Sequence, residues 1–148
     1  MKGLIFVALG GAIGSVVRYL LSGWVLHHSM SWRFPLATFT VNVIGCLIAG
    51  VLGGFVIKHG FFSADVRIFL FTGILGGFTT FSAFGLETYY LLRRGELLVA
   101  GCNIILSVVI GLIVLFLGYS AVTGGKVTTN DAFGSESIHA NVQTDRPR

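Results

Sequence analysis

The stretch Ile68-Phe-Leu-Phe-Thr-Gly-Ile-Leu-Gly-Gly-Phe-Thr-Thr-Phe-Ser-Ala-Phe-Gly-Leu-Glu87 decides how the rest of the chain is read. It is apolar enough to lie in hydrocarbon, yet its centre, Gly76-Gly77-Phe78-Thr79-Thr80-Phe81-Ser82, holds two glycines, two threonines and a serine. Adjacent glycines beside β-branched residues make a poor continuous helix. If the run crosses a bilayer, that weak centre falls at mid-depth, where non-helical backbone is tolerated only when buried in protein or lining a cavity. A helix broken there exposes carbonyls that bind cations and a half-helix N-terminus that attracts anions. An inert kink in a packing helix is the plainer reading of the same residues.

Outward from this run, the chain repeats its character. It has 148 residues, a mean hydropathy of +0.87, 54% hydrophobic residues and only 11% charged ones, against about 25% charged in an ordinary soluble domain. Four apolar runs, roughly Gly3 to Trp24, Leu36 to Ile57, Ile68 to Leu92 and Leu97 to Tyr119, are separated by charges or turn residues. Each is long enough to cross about 30 Å as a helix. The expected fold class is an all-α membrane protein with four transmembrane helices per subunit. Pro35 suits the first position of the second helix, where a missing N–H costs nothing, and Arg93-Arg94-Gly95 closes the third. The first run passes Arg18 without a small-x-small cleavage site, so a retained helix is expected rather than a removed leader. Beyond Tyr119 the composition turns polar, giving a four-helix membrane unit over 1–121 and a tail over 122–148 expected to be disordered.

Seven basic residues (Lys2, Arg18, Arg33, Lys58, Arg67, Arg93, Arg94) and three acids (Asp65, Glu87, Glu96) precede that tail, which is itself balanced. The bases have no interleaved aromatic stripe, which argues against nucleic acid as a partner and for headgroup-facing loops. With four crossings, Lys2, Lys58, Arg67 and Lys126 share one side, and Arg33, Arg93 and Arg94 the other. So small a bias specifies orientation weakly and is compatible with insertion both ways round. Cys46 and Cys102 lie within apolar runs as small hydrophobes and set no disulfide framework.

Glycine stands at 21 positions, about twice its usual frequency. Gly10 and Gly14, Gly50 and Gly54, Gly73 and Gly77, and Ser107 and Gly111 are spaced four apart, the spacing at which small residues let helices approach closely in lipid. Phe81 and Phe84 share a helical face, with Phe78 continuing the row. Such rings are usually packing, but a phenyl edge is partially positive and can face an anion without trapping it. Asn42 offers two N–H donors about two turns into the second helix, and Asn103 and Ser107 stack on one face of the fourth. These groups ordinarily bond helix to helix, yet as neutral donors with almost no acids they also suit a route for a small anion. Arg18 reads as a snorkelling side chain or as a charge at a pore mouth. Glu87 has a base or a hydroxyl as its expected partner. Four histidines without metal spacing, and no nucleophile beside a base, leave no enzyme site in the pattern.

Gly76-Gly77-Phe78-Thr79-Thr80-Phe81-Ser82-Ala83-Phe84, with Gly10-Gly11-Ala12-Ile13-Gly14 and Arg18 in the first helix and Val41-Asn42-Val43-Ile44-Gly45 in the second, closely resembles the Fluc (CrcB-type) fluoride channel family over about Met1 to Tyr119. The resemblance implies a third helix broken at mid-membrane and an antiparallel, dual-topology homodimer in the bacterial inner (plasma) membrane. It implies two fluoride pores per dimer and a structural Na+ at the dimer centre. Residue by residue, Phe81, Phe84 and Asn42 match the pore positions, Asn103 and Ser107 the polar track, and Arg18 the vestibule. The carbonyls of Gly76 and Thr79 match the sodium ligands. Gly111 offers no hydroxyl to lengthen the track. The implied function is passive export of fluoride, which enters cells as neutral HF and is trapped as the anion. Two other readings stand beside it. A small multidrug-type exporter shares the four short helices, but it needs a carboxylate in its first helix, and none occurs before Asp65. A non-transporting assembly subunit would share the glycine-rich packing.

Overall fold

A computed structural model describes residues 2–30, 32–60 and 62–125. The tail expected over 122–148 lies, from 126 onward, outside the described residues. All regular structure among the described residues is helical. Helix α1 (Lys2–Ser29) and α2 (Leu36–His59) are followed by a third span built in pieces. A short α3 (Ala64–Arg67) passes into a π-helical segment (Ile68–Leu75) and one α-turn, α4 (Gly76–Phe78). The span then resumes as α5 (Phe81–Arg93), and α6 (Leu97–Thr123) completes the bundle. Four spans of 28, 23, 30 and 27 residues are thus long and apolar enough to cross a membrane, with boundaries a few residues wider than the apolar runs alone suggest.

The ends of these helices follow local chemistry. Pro35 sits one place earlier than expected, as the residue before α2, and its carbonyl accepts the Phe39 N–H at 3.1 Å. The Ser63 side chain caps α3 by accepting from Val66 N at 3.4 Å. Gly95, at φ 76°, makes the left-handed turn between α5 and α6, a conformation that penalises any side chain with a Cβ.

Lipid offers no hydrophobic drive between helices, so association depends on close van der Waals contact at small residues. Two glycine seams supply it. Gly10 and Gly14 of α1 press on Gly73, Ile74 and Phe78: a Cβ on Gly10 would lie 2.7 Å from the Phe69 carbonyl and 2.9 Å from Gly73 Cα. One on Gly77 would come within 2.5 Å of the Gly11 oxygen. On the other side of the bundle, Gly50 and Gly54 of α2 meet Leu115, Tyr119 and Val122 of α6, and Gly118 meets the Leu47 carbonyl. The Lys58 ammonium at the end of α2 donates to the Val122 carbonyl, closing the last turn of α6. Val41 and Ala100 are fully buried, while Leu20, Ile105 and Leu112 point outward, as expected of a lipid-facing surface.

Candidate functional site

The third span bends where Thr79 (ψ 158°) and Thr80 (φ −149°, ψ 115°) are extended between α4 and α5. Two groups hold this bend. Gly45 of α2 leaves room for the Thr79 methyl and the Phe78 ring, both of which a Cβ there would meet. One turn earlier on α2, Asn42 clasps the Thr80 peptide: its Oδ1 accepts from Thr80 N at 2.9 Å and its Nδ2 donates to Thr80 O at 3.0 Å. The Thr80 hydroxyl then accepts from Ala83 N at 3.2 Å and starts α5 as an N-cap.

These bonds divert the donors that a continuous helix would aim at two carbonyls. Thr80 N, the natural partner of Gly76 O, goes to Asn42, and Ala83 N, the natural partner of Thr79 O, goes to the Thr80 side chain. Among the described residues no hydrogen bond reaches the Gly76 or Thr79 carbonyl. Thr79 Oγ1 folds back on Leu75 O at 2.9 Å, and Ser15 of α1 donates to Gly77 O at 3.4 Å. Two carbonyls, three residues apart, therefore keep free lone pairs beside the bend, and such neutral oxygens suit a hard cation.

Beside it lies a groove of about 510 Å³ whose wall includes Asn42, Gly76, Thr79, Phe81, Phe84 and Ser107. Five residues predicted from α2 and the third span are thus brought together, with Ser107 from α6. The Phe81 and Phe84 rings are 5.5 Å apart between centroids, and Phe81 is 83% exposed. Phe78 does not continue their row. The bend separates it from them, and it is buried against α1 and α2 instead.

Asn103 sits just behind the groove, 1% exposed, donating to the Thr88 hydroxyl at 2.9 Å. Ser107 donates to Asn103 Oδ1 at 3.4 Å, and Thr88 donates to Phe84 O at 2.8 Å. Thr88 is a member of this network that the sequence reading missed; its position four residues after Phe84, on the same face, was the available signal. Gly111 follows in the α6 row and faces the Cys46 sulfur. The partner of Glu87 is a hydroxyl: Thr38 Oγ1 donates to its Oε1 at 2.7 Å. Arg18 is half-buried a little past the middle of α1, lines none of these cavities, and makes no hydrogen bond or ion pair among the described residues.

Comparison with known proteins places this geometry in context. The family model described as CrcB-like protein, Camphor Resistance (CrcB), matches residues 5–119. A protein of Methylobacillus flagellatus named fluoride-specific ion channel FluC is 57% identical over 122 residues, covering 82% of this chain and 95% of its own. Proteins of the same name from Geotalea daltonii and Flavobacterium psychrophilum are each 42% identical, over 121 and 118 residues. Those matches cover 82% and 80% of this chain, and 97% and 94% of theirs.

Proposed function

The chain belongs to the CrcB-like protein family, and on that premise we propose how it works as a fluoride-specific ion channel of the bacterial inner membrane. It is a multi-pass membrane protein and not an enzyme. The observation that carries the reading is the extended Thr79–Thr80 pair docked on Asn42, which opens a groove lined by neutral donors and two phenyl rings.

Fluoride is small and strongly hydrated, so a pore must replace its water with donors that do not hold it too tightly. Asn42 uses one N–H on Thr80 O and keeps a second for the anion. Ser107, Asn103 and Thr88 continue as hydroxyl and amide rungs, the two hydroxyls turning their single protons from Asn103 Oδ1 and Phe84 O to the passing anion. The Phe81 and Phe84 ring edges supply weak positive potential between them. Arg18, which lines neither cavity of the single chain, would add its fixed charge to a vestibule completed by a second copy. Export is passive, down the gradient that acid-driven HF entry creates.

The other half of the reading is an antiparallel, dual-topology homodimer with two pores and a central structural Na+. Its support is the high exposure of Phe81, the open side of the groove in a single chain, and the weak charge bias of the loops. The break in the third span would lie at mid-membrane, close to the middle of the Ala64–Arg93 span. The free carbonyls of Gly76 and Thr79 fit sodium: two from each subunit make four neutral oxygen ligands, with no carboxylate needed. When bound there, the ion would cross-link the two bends by ion–dipole attraction.

Fluoride efflux from proteoliposomes, read with a fluoride electrode and with chloride as control, tests the function. Phe81→Ile or Phe84→Ile is expected to abolish that flux while leaving a folded dimer by size-exclusion chromatography. Undiminished flux from both variants would refute the pore assignment.

A further inference from the structure

A second, smaller cavity of about 180 Å³ lies where the residues leading into α2 meet the last turns of α5, lined by Arg33, Pro35, Glu87, Tyr90, Leu91 and Arg94. We propose that this cavity is a mouth of the anion pathway, with Arg33 and Arg94 gathering hydrated fluoride before it sheds water at Asn42. The inference rests on the fluoride-channel reading and adds a site to it.

Three observations support it. Arg33 and Arg94 both line the cavity, both are exposed, and neither is ion-paired among the described residues. Their charge is free to act on a mobile anion. Two guanidiniums against the single Glu87 carboxylate leave one net positive charge at the wall, enough to concentrate an anion at the mouth and too little to hold it.

A hydrogen-bonded polar pair also stands between the cavity and the groove. Glu87 belongs to the cavity wall and accepts the Thr38 hydroxyl. Thr38 is four residues before Asn42 on α2, and Glu87 is three residues after Phe84 on α5, so each pair shares a helix face. Thr38 and Glu87 thus stand about one turn from Asn42 and Phe84, which line the groove.

Size agrees as well. At roughly 30 Å³ per water, the cavity holds about six waters, room for an anion with most of its shell. Dehydration would then occur further in, where Asn42 and the ring edges can replace the lost water.

A lipid phosphate is the other anion two interfacial arginines could hold, and the test separates the two. Single-channel fluoride current is recorded in planar bilayers at about 20 mM and about 300 mM sodium fluoride, where screening lengths differ roughly fourfold. It is repeated with and without phosphatidylglycerol. The Arg33→Gln/Arg94→Gln pair is expected to lower the current about 3- to 10-fold at low fluoride and less than about 2-fold at high fluoride, in both lipids. Arg33→Lys/Arg94→Lys is expected to keep the wild-type curve. If the double glutamine variant does not fold, each single variant is judged by the same criterion. Unchanged low-fluoride current, or a loss seen only with phosphatidylglycerol present, would overturn the proposal in favour of headgroup anchoring. A wild-type chain that passes no fluoride would instead sink the channel reading.

Discussion

Asn42 commits its carbonyl oxygen and one amide proton to the two backbone groups of Thr80, so a single side chain both shapes the bend and faces the groove. Removing it strands an N–H and a C=O in a membrane interior, where each unsatisfied group costs about 1–3 kcal/mol. Asn42→Ala is therefore expected to lower the unfolding midpoint in detergent as well as fluoride flux; a variant that lost flux at unchanged stability would restrict Asn42 to contact with the ion. At this scale the sequence was informative about residue type. Amide and hydroxyl groups inside an apolar run are costly to place there without partners, which marked out Asn42, Asn103 and Ser107; Phe81 and Phe84 stood out by their shared helical face and the motif around them. Their partners were not legible. That Asn103 bonds Thr88 and Glu87 bonds Thr38 depends on which helices become neighbours.

The third span shows what helices demand of one another. The run from Ile68 to Leu75 is π-helical, a wider coil found mostly as a local bulge at functional sites, and its residues carry no pattern that distinguishes it from ordinary α-helix. It lies where Gly73 and Ile74 are pressed against Gly10 and Gly14. The glycines themselves were readable as packing residues from their spacing, and all seven glycines of the four spaced pairs lie at helix contacts. Which glycines matter most was not. A methyl at Gly14 would strike the Ile74 carbonyl and one at Gly77 the Gly11 carbonyl, whereas Gly23 and Gly101 face open space. Gly14→Ala and Gly77→Ala are expected to destabilise the solubilised protein by about 1–3 kcal/mol through forced backbone shifts. Gly23→Ala and Gly101→Ala should leave its thermal midpoint nearly unchanged; equal losses at all four would contradict the two-seam account.

Among the described residues, the polar groups of the groove and the network behind it occupy only half of the membrane depth. Asn42 lies about 8 Å and Ser107 about 5 Å from their helix midpoints at 1.5 Å per residue, both toward the end that carries Arg33 and Arg94. Thr38, Glu87, Thr88 and Asn103 lie further along the same way. Toward the other end the groove wall is Cys46, Ala49, Phe71 and Leu75, which offers an anion little. On the proposed reading one chain would hold half a route, and an antiparallel copy would bring a polar half to each face. For a chain ending at Gly125 with an epitope at either terminus, we expect fluoride flux like that of the full chain and accessibility of each epitope from both sides of the membrane. One-sided accessibility would argue against dual topology, and lost flux against a conducting unit confined to the four spans.

The sequence by itself determined that this protein lives in lipid, that it crosses four times, where its turns fall, and which few polar residues are available for an ion. These follow from transfer free energies and backbone propensities, which act on each segment separately. Only the tertiary structure decided that Phe78 leaves the aromatic row, that Thr38 and Thr88 join the polar network, and that the Gly76 and Thr79 carbonyls lose their helical donors. The physical reason is that hydrogen-bond partners and van der Waals clearances belong to pairs of helices. A donor's choice between its own helix and Asn42 is settled only when α2 is close enough to compete.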